Sequence, residues 1–521
     1  MNLRAMFERA VERYPEAEAI VEGDRRFSYK RWNERIDRVA GGFAEMGVAK
    51  GDRVVIALSN REQTACAYWA CQKLAAVATP INFRFSPEEI AYVLNDAQAR
   101  LFIPGDESRD AGAQALGLLA KRPPLVYAGA QPLTGARPFE ALAGGAAPLT
   151  RREPLSDDDL NLILYTAGTT GRPKGVPRTH RNDYAATMAE LVQFHWSLHE
   201  RTLGVMPLFH TMGMHTLTAM AFVNGLFVAQ PRFDALQALE LIARERISAL
   251  YLIPTIFHEL LHHPAAGRCD LSSVRKVSYA GAPMTRALTL ECDTAFKPEV
   301  LVNHYGSTEV YTFSICEHIR EKPGCAGRAA MNGTLRVVKA ERERRVAPDE
   351  TVAQGEVGEI IVGADSDEAF AGYLNRPDSS AEALRDGWYF TGDLGYLDPE
   401  GDLWVVGRVD DMIISGGENI HPTEVEEVLV RHPQVREAAV AGLPDDKWGQ
   451  VVAAFVVPTT EDLSGEDLDR HCLESASLAG FKRPRRYVFV RAIPKSQSGK
   501  VLRRKLQAGE YETLTPHRTN A

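Results

Sequence analysis

Two rhythms of apolar and polar positions run through this chain. Leu3, Met6, Phe7, Ala10 and Val11 recur at helical spacing, which predicts an amphipathic N-terminal helix rather than a cleavable apolar leader. Short β-branched runs then appear at residues 53–58 (RVVIAL), 100–104 (RLFIP), 161–166 (NLILYT), 249–253 (ALYLI) and 276–281 (KVSYAG). They alternate with helical patterns, which predicts an α/β fold with substantial parallel pairing. Ser86-Pro87-Glu88-Glu89 has the N-cap, first-turn proline and capping-box glutamate that open a helix. Residues 111–147, rich in Ala and Gly, predict a surface lobe without chemistry. The longest apolar run, residues 217–229, is broken by Asn224 and Gly225 and falls short of the roughly 20 residues that span a bilayer.

Near Gly407–Asp411 the pattern changes. A strand-like LWVVG precedes a polar connection, and a fresh series of helices and strands follows the pair Gly416-Gly417. The expected organisation is a large multi-sheet N-terminal domain, residues 1–409, and a small mobile α+β domain, residues 410–521, hinged near Asp410.

Composition narrows the class only slightly. At 521 residues, with 45% hydrophobic and 25% charged, the chain is globular and large enough for several structural units. A net charge of −9 argues against nucleic acid as the main partner. Seven scattered cysteines with no C-x-x-C pair fit reduced thiols in a cytoplasmic protein.

The chemistry begins at Tyr165-Thr-Ala-Gly-Thr-Thr-Gly-Arg-Pro-Lys-Gly175. A strand runs into glycines, threonines and a lysine, which suits a phosphate. Glycine lets backbone N–H groups approach an anion, hydroxyls donate to its oxygens, and lysine supplies charge. It is not a Walker A loop, because Pro173 and Gly175 stand where that motif needs Gly and Ser or Thr.

This loop resembles the signature of the adenylate-forming superfamily, which includes acyl-CoA synthetases, luciferases and peptide-synthetase adenylation domains. Further along lie YAGAPM (279–284), HYGSTE (304–309), YFTGDLG (389–395), GRVDDMIISGGENIHPTEVE (407–426) and PKSQSGKVLRRKL (494–506), in the family's order. Across residues 407–506 the chain looks most like the aryl-CoA ligases, 4-chlorobenzoate–CoA ligase among them.

The resemblance implies a two-step ligase using ATP, Mg²⁺ and coenzyme A. An acid attacks the α-phosphate, and a thiol then displaces AMP. Joining two anions requires cations at the phosphates and at the developing charge. By the same resemblance Thr166, Thr169, Thr170 and Lys174 hold the triphosphate, Thr308 meets the α-phosphate, and Glu309 binds Mg²⁺. Tyr305 stacks on adenine, Gly281, Ala282 and Pro283 line the cleft, Asp393 accepts the ribose hydroxyls, and Arg408 lies near ribose or phosphate. Lys500 completes the adenylation site from the mobile domain, and its acetylation would switch the enzyme off.

For coenzyme A the implied residues are Gly416 and Gly417 beside the pantetheine arm, Trp448 at its flank, and Phe481, Arg483, Arg485 and Arg84 at its nucleotide. The acyl pocket falls on His210 (counted also among the catalytic residues), Tyr251, Ala280, His304, Gly306, Tyr311 and Thr312. His304 and Tyr311 place polar edges there, so a benzoate-like or small cyclic acid with a polar group is expected, unless the two are bonded to each other. In the phosphate loop Ala167 stands where serine is commonest, which removes one donor.

Several alternatives stay open: a medium-chain fatty acid or arylacrylate CoA ligase, or a stand-alone adenylation enzyme loading a carrier protein. His258-Glu259-Leu260-Leu261-His262 fits H-E-x-x-H, the zinc metalloprotease motif, but has no evident third ligand. The expected partners are the acid, ATP and CoA, with no membrane span. A homodimer and a lysine acetyltransferase at Lys500 are the protein partners left open.

Overall fold

The computed structural model describes residues 2–166, 172–341, 344–416, 418–475, 478–495 and 501–514. Thr169, Thr170, Gly417 and Lys500, four of the expected site residues, and Ala167 lie outside them. No described helix is long and apolar enough to cross a membrane.

The chain forms two compact units, Met1–Leu335 with Val362–Tyr389, and Arg336–Ile361 with Phe390–Ala521. Among the described residues of the first unit, a seven-stranded sheet runs in the order Ala136–Pro138, Leu125–Tyr127, Leu101–Pro104, Arg53–Ala57, Val77–Pro80, Leu160–Thr166 and Lys174–Thr179. Its pairs are parallel except the last, where Leu160–Thr166 turns back on Lys174–Thr179. A nine-stranded sheet has Val300–Tyr305, Lys276–Tyr279, Ala249–Leu252, Arg201–Gly204, Leu226–Ala229 and Glu18–Glu22 as its parallel centre.

One apolar cluster joins the two sheets. It takes Val54, Ile56 and Leu164 from the first, Ile20, Phe227 and Tyr251 from the second, and Trp32, Trp69 and Leu217 from helices packed with them. The helix Glu62–Leu74 is buried along its whole length. The N-terminal helix Leu3–Arg13 buries Leu3, Met6, Phe7 and Ala10, the positions its spacing selects. Ser86 and Glu89 make both bonds of the capping box ahead of Pro87–Asp96.

Residues 111–147 differ from the expectation of a surface lobe. They add the strands Leu125–Tyr127 and Ala136–Pro138 to the sheet edge, and Phe139 and Leu142 enter the core. The strands have three residues each, too few to show a period against the Ala/Gly background.

In the second unit, Gly449–Pro458 lies between Val435–Asp445 and Arg486–Phe489. Its period-2 alternation serves two cores. Val452, Ala454 and Val456 join the cluster with Val425, Leu429 and Leu468 from the helices Pro422–Leu429 and Gly465–Glu474. Ala453, Phe455 and Val457 face the other way, with Val490, Ile493 and Leu506. A near-continuous apolar strand is what such a doubly covered sheet requires.

Candidate active site

Parallel strands present their carboxyl ends together, and ligands of open α/β sheets bind there. In the first unit, register aligns Leu252 with Tyr279 and Tyr279 with Asn303. The next residues along these three strands include Ala280 and His304, and two of the segments run on into 281–283 and 305–309. Gly281 has φ +83°, a left-handed turn that favours glycine. Ala282 is half-buried and Pro283 exposed at this edge.

The turn after Tyr305 is tightly built. Ser307 N donates to Val310 O (3.0 Å), and Ser307 Oγ accepts from Glu309 N (3.1 Å). A Cβ on Gly306 would lie 1.8 Å from Tyr311 O, so the residue must be glycine. Arg178, fully buried, donates through Nη1 to the Thr308 carbonyl (2.9 Å) and is ion-paired with Asp183. Asp183 also accepts from Asn161 Nδ2 (3.0 Å) and pairs with His215 Nε2 (3.1 Å). Burial opposes ionisation of Asp183, but Arg178 and His215 outweigh it and hold the carboxyl well below its ordinary range.

Glu309, 8% exposed, accepts from Tyr373 Oη at 2.8 Å. Lys174 Nζ sits 5.0 Å from the centroid of the same tyrosine ring. Backbone bonds fix these three segments: Phe370 N donates to Glu309 O (2.8 Å) and Leu374 N to Gly175 O (2.9 Å). Thr166 is paired with Lys174 across the strands that flank the phosphate loop. The structure thus joins a cation and a carboxylate through a tyrosine that sequence patterns do not mark. Tyr305 packs edge-on to Phe313 (5.0 Å between centroids).

Most of the expected acyl-pocket residues are buried. His304 Nε2 lies 3.0 Å from the Tyr311 carbonyl, which can only accept, so Nδ1 is the acceptor for Tyr251 Oη. Burial lowers the His304 pKa to about 3, which keeps the imidazole neutral. Tyr311 Oη bonds Glu190 Oε2 at 2.6 Å and approaches Tyr251 Oη at 3.4 Å. His304 and Tyr311 are therefore bonded, through backbone on one side and through Tyr251 on the other. Phe194 adds an aromatic edge 4.9 Å from Tyr251. Ala280 and Thr312 are buried alongside, with Thr312 N donating to Glu368 (3.0 Å). His210, half-buried, stands at the N-cap position of the helix Thr211–Phe222 without a side-chain capping bond, its ring 4.7 Å from that of Phe209. Arg84 is exposed over Phe83 (5.1 Å).

In the second unit Asp393 faces Arg408 across paired strands, and Arg408 Nη1 donates to Asp393 Oδ1 (2.5 Å) and Thr391 O (3.1 Å). Gly392, at φ +70°, leaves room for that guanidinium: a Cβ would lie 2.9 Å from Arg408 Nη2. Asp410 is exposed two residues on. Gly416 has φ +61°, and a Cβ there would fall 2.6 Å from the Trp448 ring. The indole itself, then, demands glycine at 416. Arg485 lies 4.8 Å over the other partner of this contact, the Trp448 ring. Arg483 pairs with Asp469 (3.4 Å), and Phe481 is 48% exposed. Arg503, within the motif at residues 494–506, is anchored to Asp411 (3.1 Å), Glu426 (2.7 Å) and Val440 O (3.0 Å).

Tyr373 and Glu190 escaped the sequence reading because their partners are remote in the chain: Tyr373 is 64 residues from Glu309 and Glu190 is 121 from Tyr311. The HELLH helix, Pro254–His262, exposes His258 and His262 stacked at 4.0 Å, with Glu291 3.6 Å from His262. Among the described residues no group of three or more His, Cys, Asp or Glu is placed to hold a metal ion.

Comparison with known proteins falls on the same segments. A family model described as AMP-binding enzyme matches residues 7–374, and one described as AMP-binding enzyme C-terminal domain matches residues 424–500. The chain is 34% identical to the long-chain-fatty-acid–CoA ligase FadD13 of Mycobacterium tuberculosis, over 96% of this chain and 97% of that one. It is 32% identical to an Arthrobacter 4-chlorobenzoate–CoA ligase, over 96% and 93%. The solved structure of the anthranilate CoA ligase AuaEII in complex with anthranoyl-AMP superposes with a TM-score of 0.87 at 27% identity, covering 98% of this chain and 97% of that one. With matches spanning the phosphate loop, the Glu309 turn and the C-terminal motifs, this chain belongs to the AMP-binding enzyme family.

Proposed function

We propose that this enzyme is an AMP-forming acid–CoA ligase acting on a benzoate-like or small cyclic carboxylic acid. One carboxylate oxygen attacks the α-phosphorus of ATP and pyrophosphate leaves. The thiol of coenzyme A then attacks the acyl carbon and AMP leaves with the shared oxygen. The observation that carries this reading is the Lys174–Tyr373–Glu309 arrangement beside the phosphate-loop strands. Lys174 offsets charge on the triphosphate. Tyr373 holds one oxygen of Glu309 and leaves the other for a hard cation, which fits Mg²⁺. Bound there, Mg²⁺ would neutralise phosphate charge as the two anions meet. Arg178 holds the Thr308 carbonyl, so Thr308 is presented at a fixed place for the α-phosphate.

The ring-lined wall of Phe194, Tyr251, His304 and Tyr311 supports an aryl or cyclic acid over an extended chain. Two relatives are named for aryl acids, chlorobenzoate and anthranilate, and one for long-chain fatty acids. In the second unit, Asp393 is assigned to the ribose hydroxyls once Arg408 releases it. Trp448 and Arg485 offer a stacked aromatic and a cation suited to coenzyme A. Residues 410–521 are proposed to swing about Asp410 between half-reactions, with Lys500 serving adenylation and open to acetylation there. A homodimer and a cytoplasmic setting belong to the same reading.

Pyrophosphate release across benzoates, cinnamates, cyclic acids and fatty acids, with and without CoA, tests it. Release with a ring acid, followed by CoA-dependent AMP release, is expected. Preference for fatty acids would move the substrate class, and acyl transfer with AMP release to the thiol of a carrier protein but not to CoA would favour the adenylation-enzyme alternative.

A further inference from the structure

The hydrogen bonds around Tyr311 leave two buried polar atoms over. Glu190, 2% exposed on the helix His180–Gln193, has Oε2 engaged by Tyr311, while Oε1 has no partner. His215, fully buried, has its ring centroid 3.8 Å from that of Tyr311. Its Nε2 is bonded to Asp183, and Nδ1 has no partner. Because Asp183 accepts, Nε2 carries the hydrogen and Nδ1 is left as an acceptor. A buried donor or acceptor left without a partner costs about 1–3 kcal/mol. Two of them flanking one tyrosine of the expected acyl wall call for a ligand group.

We infer that the acid carries a protic ring substituent, a hydroxyl or an amino group, and that Glu190 and His215 beside Tyr311 are the residues that select it. This rests on the ligase reading and names its substrate class. The substituent gives a hydrogen to an acceptor that lacks one, and a hydroxyl can also take a hydrogen in return. Burial raises the Glu190 pKa to about 8, with Glu368 adding to the effect and the Tyr311 bond opposing it. The carboxyl is therefore neutral at pH 7 and suits a neutral hydroxyl or aniline-type amine better than a cation. The charged and titratable groups facing the network are Asp183 with Arg178 on one side and Glu368 on the other. A site that hydrogen-bonds such a group discriminates strongly against the analogue that lacks it, because its own polar groups are then left unpaired.

The test is kcat/KM for pyrophosphate release with benzoate and with each hydroxy- and aminobenzoate isomer, on the full-length enzyme. At least one substituted acid should exceed benzoate by about tenfold or more. In Glu190→Leu that ratio should fall toward one, and Glu190→Gln should restore part of it. A ratio near one for every isomer overturns the assignment while leaving the ligase reading intact, as does an unchanged ratio in Glu190→Leu. If Glu190→Leu does not fold, the unmodified ratio decides alone. If no acid is turned over, the ligase reading fails instead, and calorimetric binding of the same acid pairs then decides the Glu190 assignment, equal affinities overturning it.

Discussion

Tyr373 is where a single hydroxyl bears most directly on the chemistry. It holds Glu309 at 2.8 Å while its ring lies under Lys174. Tyr373→Phe keeps the ring and removes the bond to a mostly buried carboxylate. A hydrogen bond to a charged group is worth about 1.5–3 kcal/mol, so kcat/KM for adenylation should fall by roughly 10- to 100-fold and the Mg²⁺ concentration needed for half-maximal rate should rise. A Mg²⁺ titration of pyrophosphate release checks both. Titration behaviour follows from the neighbouring network. His304 titrates at about 3 in the fold against about 6.5 in an unfolded chain. Its contribution is present above pH 6.5 and is lost as pH falls toward 3, since the unfolded chain takes up the proton first. Glu190, raised to about 8, has the opposite sign: its contribution is present below about pH 4.3 and is lost as pH rises through 8. Thermal unfolding of His304→Gln should show a shallower loss of stability between pH 6.5 and 5 than the parent protein. The residues of Lys174 and Glu309 were legible in sequence because motif neighbours announce them. Tyr373 was not, since a tyrosine followed by Leu-Asn-Arg-Pro looks like any turn, and its partners come from segments far away in the chain.

Elements carry their own constraint at Gly416. Its φ of +61° and the Trp448 ring 2.6 Å from a would-be Cβ exclude alanine twice over. Gly416→Ala should cost about 1–2 kcal/mol from the backbone alone, with a further loss from the displaced indole, read as a lowered Tm. Trp448→Ala in the same chain should recover the second part, giving a double mutant less damaged than the sum of the singles. Because both residues lie on the proposed coenzyme A side, thioester formation should suffer more than pyrophosphate release. Strand and helix signals were clear where the period was long enough. The capping box at Ser86 and the helix Leu3–Arg13 formed as their spacing predicts. The three-residue strands within 125–138 did not declare themselves. Their place in the sheet is set by pairing with Leu101–Pro104, a long-range contact that leaves no mark on local composition.

For the whole molecule, the order of motifs from Tyr165 to Leu506 already indicated the family, and the matches over residues 7–374 and 424–500 agree. What remained invisible was how polar groups pair in the interior, as with Glu190 and Tyr311, because two residues 121 positions apart leave no joint pattern. Lys500→Ala is expected to suppress adenylate formation while sparing thioester formation from a supplied acyl-adenylate. Single-turnover assays of the two halves separate these outcomes, and equal loss of both would count against a lysine used in only one of them. The central claim, attack by the acid's own oxygen on the α-phosphorus, has a direct isotopic signature. With the acid labelled by ¹⁸O in both carboxyl positions, mass spectrometry of the released nucleotide should find AMP carrying one labelled oxygen and the thioester retaining the other. Unlabelled AMP, or ADP formed with labelled inorganic phosphate, would contradict the account.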